Sequence, residues 1–328
     1  MIRAIDVGYG AVKGICSVRE VEYPSAVGSF RPVRFSTGME NLDIKDRLSV
    51  EFEGKKYFIG DIAYKQSVPR VTMNSDRFTS KEGLALMMSA LILLSNSQHE
   101  DIKLITGLPV NEYAGLKEKY KNTLLGKHYI QLINPDGTGE DFYSFNIEDV
   151  KILPQPAGTI FDAVLNNKGD IEQTALAKSR IGVIDVGKCT VDFIITDSLQ
   201  FVDKSSTSYN DIGLFDAYKD LSLALKSEGY DIAADNLEPY IKNDKNLDGL
   251  HELKEIVFAN QAEKIASRVI NTWSNLWDID QIFITGGGAV VLGKYLLNHF
   301  NRDNISICDK PTFTNCNGYY KLAMKQWG

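Results

Sequence analysis

One short stretch occurs twice in this chain, and that recurrence constrains the fold more than any other feature. Ile5-Asp6-Val7-Gly8-Tyr9-Gly10-Ala11-Val12-Lys13-Gly14 stands near the start, and Ile184-Asp185-Val186-Gly187-Lys188-Cys189-Thr190-Val191-Asp192-Phe193 past the middle. Under one constant offset Asp6, Val7, Gly8 and Val12 fall on Asp185, Val186, Gly187 and Val191, and Ile15 falls on Ile194. Each copy reads as a strand, a tight turn and a second strand, because short β-branched runs broken by glycine suit hairpins better than helices. Glycine permits positive φ at the turn and removes the side chain that would hold an anion away. Backbone N–H groups of Gly8, Tyr9 and Gly10, and of Gly187, Lys188, Cys189 and Thr190, can then form an anion nest. Asp6 and Asp185, at the strand ends, are placed to hold Mg²⁺ through water, since Mg²⁺ dehydrates reluctantly. Two such hairpins would grip a polyphosphate from both sides. Either copy alone would pass for an ordinary glycine turn and its Asp for an Asx turn; recurrence in one frame favours the phosphate reading.

At 328 residues the chain exceeds one average domain, which favours two. Its 44% hydrophobic and 24% charged composition is that of a globular protein with a sizeable core. A formal net charge of −7 and the lack of a long Lys/Arg run argue against direct nucleic-acid binding, which needs a clustered basic patch. Cys16, Cys189, Cys308 and Cys316 are widely spaced and form no C-x-x-C, so they read as cytosolic thiols rather than a zinc site. No G-x-S-x-G marks a nucleophile, and the chain enters a strand at once, so no signal peptide is expected. The most apolar run, Leu84 to Leu94, is about half of what a membrane span needs.

Between the two hairpins the sequence predicts a small hairpin around Glu53-Gly54 and a buried helix over 81–97. A strand over 102–106 ends at Gly107-Leu108-Pro109, and Asn111 is expected to cap a helix that runs to about residue 125. A hairpin over 129–147 and a separate strand over 150–153 follow, then a helical stretch opened by Pro154-Gln155-Pro156-Ala157-Gly158. After the second hairpin, a polar loop from Ser205 to Gly213 leads to a helix over 214–228. A later helix carries Ile256 to Ile270, with Trp273, Leu276 and Trp277 extending its apolar face. A strand over 279–285 ends in Gly286-Gly287-Gly288, either a flexible turn or a close backbone approach to a flat ligand. A helix to His299, a short strand over 305–307 and a closing helix complete the chain.

This arrangement resembles the superfamily of actin, heat-shock chaperones and sugar kinases. Asp6 to Gly14 and Asp185 to Phe193 match its two phosphate loops, and Pro154 to Leu165 and Asn315 to Leu322 its two connecting helices. Thr285 to Val291 matches its adenosine loop. The resemblance implies an α/β, actin-like ATPase fold in which two duplicated ribonuclease H-like domains flank a nucleotide cleft, with Gly286, Gly287 and Gly288 against the base. It places domain I at 1–156, with an insertion at about 23–70 and completion by 311–328, and domain II at 157–310, with an insertion at about 205–275. ATP, or GTP, and Mg²⁺ are the implied ligands. Thr106-Gly107-Leu108-Pro109-Val110 and the compact size resemble the ParM-type actins of plasmid segregation and their archaeal relatives. Those relatives imply head-to-tail filaments of the chain itself, a DNA-binding adaptor that spares it direct contact with nucleic acid, and a cytoplasmic, membrane-free location.

Gln155 falls where the actin pattern has a residue that orients the attacking water, although ParM-type relatives often carry Glu there. A neutral amide orients water but is a poor base for a sugar hydroxyl, which favours ATP hydrolysis over a small-molecule kinase. Gln155 as a mere helix cap remains open at this stage. Lys13 either neutralises phosphate charge or points to solvent, and Asp211 and Gly213 lie where relatives approach the ribose and phosphate. A sugar or carboxylate kinase on the same fold, a chaperone-like switch and a filament without significant turnover are the competing readings.

Overall fold

Continuous β-branched runs build a parallel core in each half of the chain. The computed structural model describes residues 1–35, 43–69, 75–242, 247, 249–300 and 302–328. Positions 36–42 and 70 of the first expected insertion, and 243–246 and 248 of the second, lie outside the described residues. The chain divides into two units, residues 1–172 with 315–328, and residues 173–314.

The first unit holds a nine-stranded sheet of β1 (Ile2–Val7), β2 (Ala11–Ile15), β3 (Glu20–Pro24), β4 (Val27–Ser29), β5 (Ser49–Phe52), β6 (Lys55–Ile59), β7 (His99–Leu108), β8 (Gly126–Ile133) and β9 (Glu140–Pro154). Their order is β3-β2-β1-β7-β9-β8-β5-β6-β4. β1 pairs antiparallel with β2 and parallel with β7, which is parallel to β9. After α1 (Asp61–Gln66), helix α2 (Lys81–Leu94) covers β1 and β2, with Ser80 capping its first turn by accepting from the Gly83 N–H at 3.1 Å. Leu84 to Leu94 are all buried, as an all-round apolar helix requires. Arg3 on β1 and Glu100 on β7 form a buried ion pair, whose breaking typically costs ~3–5 kcal/mol.

Helix α3 (Val110–Leu124) starts two residues earlier than Asn111 suggests: Pro109, at φ −52°, is its N-cap, and Asn111 lies inside the helix. The strands expected separately at 142–147 and 150–153 are one, β9. It pairs β8 with its first half and β7 along most of its length, absorbing an irregularity opposite Ile102 and Lys103. Helix α4 (Ala157–Val164) follows it, and α10 (Thr314–Trp327) later returns to this unit, burying Cys316, Tyr319 and Ala323.

The second unit, after α5 (Thr174–Ala177), repeats the pattern with β10 (Arg180–Val186), β11 (Val191–Asp197), β12 (Gln200–Phe201), β13 (Thr207–Tyr209), β14 (Gln281–Thr285) and β15 (Ile305–Ile307). The order is β12-β11-β10-β14-β15, with β13 beside β11. β10 is antiparallel to β11 and parallel to β14, as β1 is to β2 and β7. The polar segment 205–213 is thus not a loop throughout, since Thr207–Tyr209 adds to the β11 edge. Helices α6 (Leu214–Ser227), α7 (Glu238–Lys242), α8 (Leu250–Thr272) and α9 (Ala289–Leu297) complete the unit. α8 buries Ala262, Ile265, Ala266 and Val269 and ends at Thr272. Trp273, beyond that end, is buried, and its Nε1–H donates to the Ser205 carbonyl at 2.8 Å. Trp277 is 83% exposed and does not continue the helix face.

Candidate functional site

In the first unit the hairpin turn, Asp6, Lys13 and Gln155 meet. The register sets Asp6 directly across from Lys13, so their side chains leave the same face of the sheet. Both are buried, which removes solvent as the destination of Lys13. Gln155 donates from Nε2 to Asp6 Oδ1 at 2.9 Å. Burial raises the Asp6 pKa above the usual carboxylate value, opposed in turn by the Lys13 charge, the Gln155 hydrogen bond and the Arg77 charge.

Gln155 is held at both ends of its backbone: its N–H donates to Leu108 O at 2.8 Å, and its carbonyl accepts from Tyr319 Oη at 2.9 Å. The sequence reading did not single out Tyr319, and no spacing signal marks it. On α4, Thr159 donates through N–H and Oγ1 to Asn315 Oδ1, which ties α4 to α10. Gln155 is therefore fixed by three elements, and its side chain turns to Asp6 rather than capping the helix that follows. The turn itself is closed by Gly8 N–H to Ala11 O at 3.1 Å. The Gly10 carbonyl accepts from Ser25 N at 3.1 Å.

In the second unit Asp185 pairs across the hairpin with Asp192, the frame equivalent of Lys13. Asp192 is buried and accepts from Thr190 Oγ1 at 3.0 Å and from the Ser208 hydroxyl. Asp192 was missed as a site residue, although the duplicated frame pointed to it. Thr190 thereby braces the turn through its side chain, and Cys189 is buried beside it. The Lys188 ammonium lies 5.7 Å from the Phe215 ring centroid. The start of α6 meets this turn: Leu214 N–H donates to Gly187 O at 3.1 Å and Phe215 N–H to Lys188 O at 2.8 Å. Gly213 makes that approach possible, because a Cβ there would stand 2.6 Å from the Lys188 carbonyl oxygen.

The triple glycine lies at the end of β10. Gly286 has φ +91°, and a Cβ on it would fall 2.3 Å from Asp185 Oδ1 and 2.4 Å from Val186 O. Gly288 donates its N–H to Val186 O at 2.7 Å. Gly287 alone of the three faces open space. Asp211 sits apart from the turn, paired with Arg268 at 3.1 Å. Both line a cavity of about 760 Å³ walled by α6 and α8, with Asn260, Lys264, Ser267 and Asn271. Lys264, Ser267, Arg268 and Asn271 recur at helical spacing, a polar stripe overlooked because the sequence reading followed only the apolar face of α8. Among the described residues no group of three His, Cys, Asp or Glu is placed to hold a metal ion, and no helix is long and apolar enough to cross a membrane.

Comparison with curated proteins finds no match. Among solved structures, a non-polymerisable quadruple mutant of pCBH ParM superposes with a TM-score of 0.79 at 24% identity, covering 99% of both chains. A 15-stranded ParM filament from Clostridium botulinum gives 0.78 at 24%, again covering 99% of both. Ta0583, an archaeal actin homologue in complex with ADP, gives 0.77 at 22%, with 99% of both covered. These likenesses establish the actin-like fold. The family model of the N-terminal domain of actin-like proteins matches residues 4–158, and that of the C-terminal domain of the archaeal MreB-like actin homologue matches residues 183–298. On these two matches, which together take in both hairpins, the chain belongs to the actin-like proteins.

Proposed function

We propose that this chain is an actin-like ATPase that binds ATP, or GTP, with Mg²⁺ and polymerises head to tail into cytoplasmic filaments. The observation that carries the proposal is the buried pair of Gln155 and Asp6 at the end of the first of two hairpins built on one frame. Gly8 and Gly187 spend their N–H groups on Ala11 O and Thr190 O inside the turns, so the groups offered to phosphate oxygens are those of the residues that follow each of these glycines. Each unit offers one hard carboxylate at a strand end, Asp6 in the first and Asp185 in the second, the kind of donor that would hold a Mg²⁺ through the waters it keeps. When bound, Mg²⁺ neutralises phosphate charge. Gln155 gives one of its two amide N–H groups to Asp6, which turns the amide carbonyl to accept from, and so aim, a water at the γ-phosphate. A neutral amide takes no proton from a sugar hydroxyl, so the small-molecule kinase gains no support.

The cavity of the second unit takes the nucleoside in this reading, with Asp211 and the α8 stripe as its polar wall. The pairing of Asp211 with Arg268 fixes that wall without either group facing an uncompensated charge. Filament formation is supported by the ParM filament among the similar structures, and nucleotide binding by the ADP complex of the archaeal homologue. Segregation of plasmid DNA through a DNA-binding adaptor fits the net charge of −7, which leaves DNA phosphates to a partner.

Right-angle light scattering and pelleting with ATP, with ADP and without nucleotide test the proposal. Scattering should rise with ATP and decay as phosphate is released. Scattering that stays at the monomer level in all three conditions would remove the filament.

A further inference from the structure

The carbonyl of the glycine that follows Asp-Val is held differently in the two hairpins. In the second unit Gly187 O accepts from the backbone of Leu214, at the positive end of α6. Among the described residues of the first unit no helix start performs this task. Gly8 O accepts from Ser25 Oγ at 2.6 Å and from Arg77 Nη2 at 3.0 Å. The Arg77 guanidinium also lies 4.4 Å from the ring centroid of Tyr9, the next residue of the turn, and 5.4 Å from that of Phe78.

Arg77 is 5% exposed and sits on a short 3-10 helix, Ser75–Thr79, whose position is itself determined. Its carbonyl accepts from Ser80 Oγ at 2.9 Å, and Phe78 packs edge-on to Tyr9 and against Tyr120, with centroids at 6.3 and 5.8 Å. A buried guanidinium fixed in this way and hydrogen-bonded to the turn is not a solvated surface charge.

We propose that Arg77 is a positioning residue for the first phosphate turn: it fixes Gly8 and Tyr9 in the anion-binding conformation and supplies the positive charge that the start of α6 supplies to the second turn. The proposal rests on the nucleotide reading above. Arg fits this place better than Lys, because its planar fork stacks on an aromatic ring and donates in a fixed direction at once.

Titration calorimetry of the full chain with Mg²⁺ and ADP, which avoids ATP-driven assembly, gives the primary measurement. Arg77→Met should weaken ADP binding about tenfold and raise KM for ATP in parallel, with kcat less affected. Arg77→Lys, which keeps the charge and the stem, should fold as the wild type does and recover part of that loss. A purely structural role would lower the melting temperature and the fraction of active sites but leave the Kd of the folded protein unchanged. That result, in Arg77→Met or, if it does not fold, in Arg77→Lys, would overturn the proposal while the nucleotide reading stands. Failure of the wild type itself to bind ADP would instead overturn the nucleotide reading beneath it.

Discussion

Across the first hairpin Asp6 faces a lysine, whereas across the second Asp185 faces another carboxylate, Asp192. The backbones follow one frame, but the charges do not. In the first unit the buried acid is compensated locally by Lys13, by the Gln155 amide and by Arg77. In the second, two acids stand in direct register, an arrangement that is destabilising across a sheet unless other groups meet the charge. Hydroxyls of Thr190 and Ser208 meet Asp192, and α6 brings its N-terminus to the turn carbonyls. Duplication thus preserved the strand-turn-strand geometry and let the electrostatics diverge. The first hairpin sets cations beside its buried acid, whereas the second meets Asp192 with hydroxyls.

The largest effect should come from removing the residue the two hairpins share. Asp6→Ala and Asp185→Ala should each cut Mg²⁺-dependent phosphate release by about 10²–10³-fold, read by a malachite-green assay. Wild-type turnover in either variant would break the equivalence of the two frames. Next in size is Gln155→Ala, which has no counterpart in the second unit. It should leave ADP affinity within error of wild type and slow phosphate release about 10²-fold. Unchanged turnover would take Gln155 out of the reaction.

The fold was legible in the sequence because the duplicated frame fixes a topology: a strand, its antiparallel neighbour and a later parallel strand, found as β1-β2-β7 and again as β10-β11-β14. The strand-end placement of Asp6 and Asp185 and both turns were legible for the same reason, whereas Gln155 was reached only through the resemblance of Pro154 to Leu165 to a connecting helix. Other features were hidden by physics that acts at long range. β9 reads as two strands because its sequence weakens around Glu148 and Asp149, but two neighbours hold it as one. Tyr319 reaches Gln155 from a helix 164 residues away, and no local pattern encodes that hydrogen bond. The glycines at 286 and 288 suggested a ligand, whereas their immediate constraint is the end of β10, with Asp185 and Val186 too close for a side chain. Periodicity also carried Trp277 too far, because it does not register where a helix stops.

A smaller effect separates the hairpins by pH. The folded-state pKa of Asp6 lies above the unfolded value of 3.8, so its contribution to stability is fully present below 3.8 and is lost as pH rises through the folded pKa. Asp6→Asn removes that loss, so its unfolding free energy should gain on the wild type as pH rises from 3.8 and run parallel above the folded pKa. Urea titrations at a series of pH values read this directly, and a gap that narrows with rising pH would mean the cations around Asp6 outweigh burial. Lys13→Met should move the same transition to higher pH and destabilise the protein above it, where Asp6 is left a buried anion with less compensation. At pH values below the transition that cost should vanish.

The smallest expected effect has the opposite sign and tests the contrast most closely. Asp192→Asn replaces one of two opposed carboxylates with an amide of the same shape, whose oxygen still accepts from Thr190 or Ser208. Relief of like-charge repulsion should stabilise the nucleotide-free protein by about 0.2–1 kcal/mol, measured as a rise in the urea midpoint at neutral pH without added Mg²⁺. Added Mg²⁺ with ADP should stabilise the wild type more than the variant, because the second carboxylate strengthens the field on a cation held at Asp185. A loss of stability in Asp192→Asn would show instead that its two hydroxyl partners require the full negative charge, and that the second hairpin, like the first, is already neutralised within its own unit.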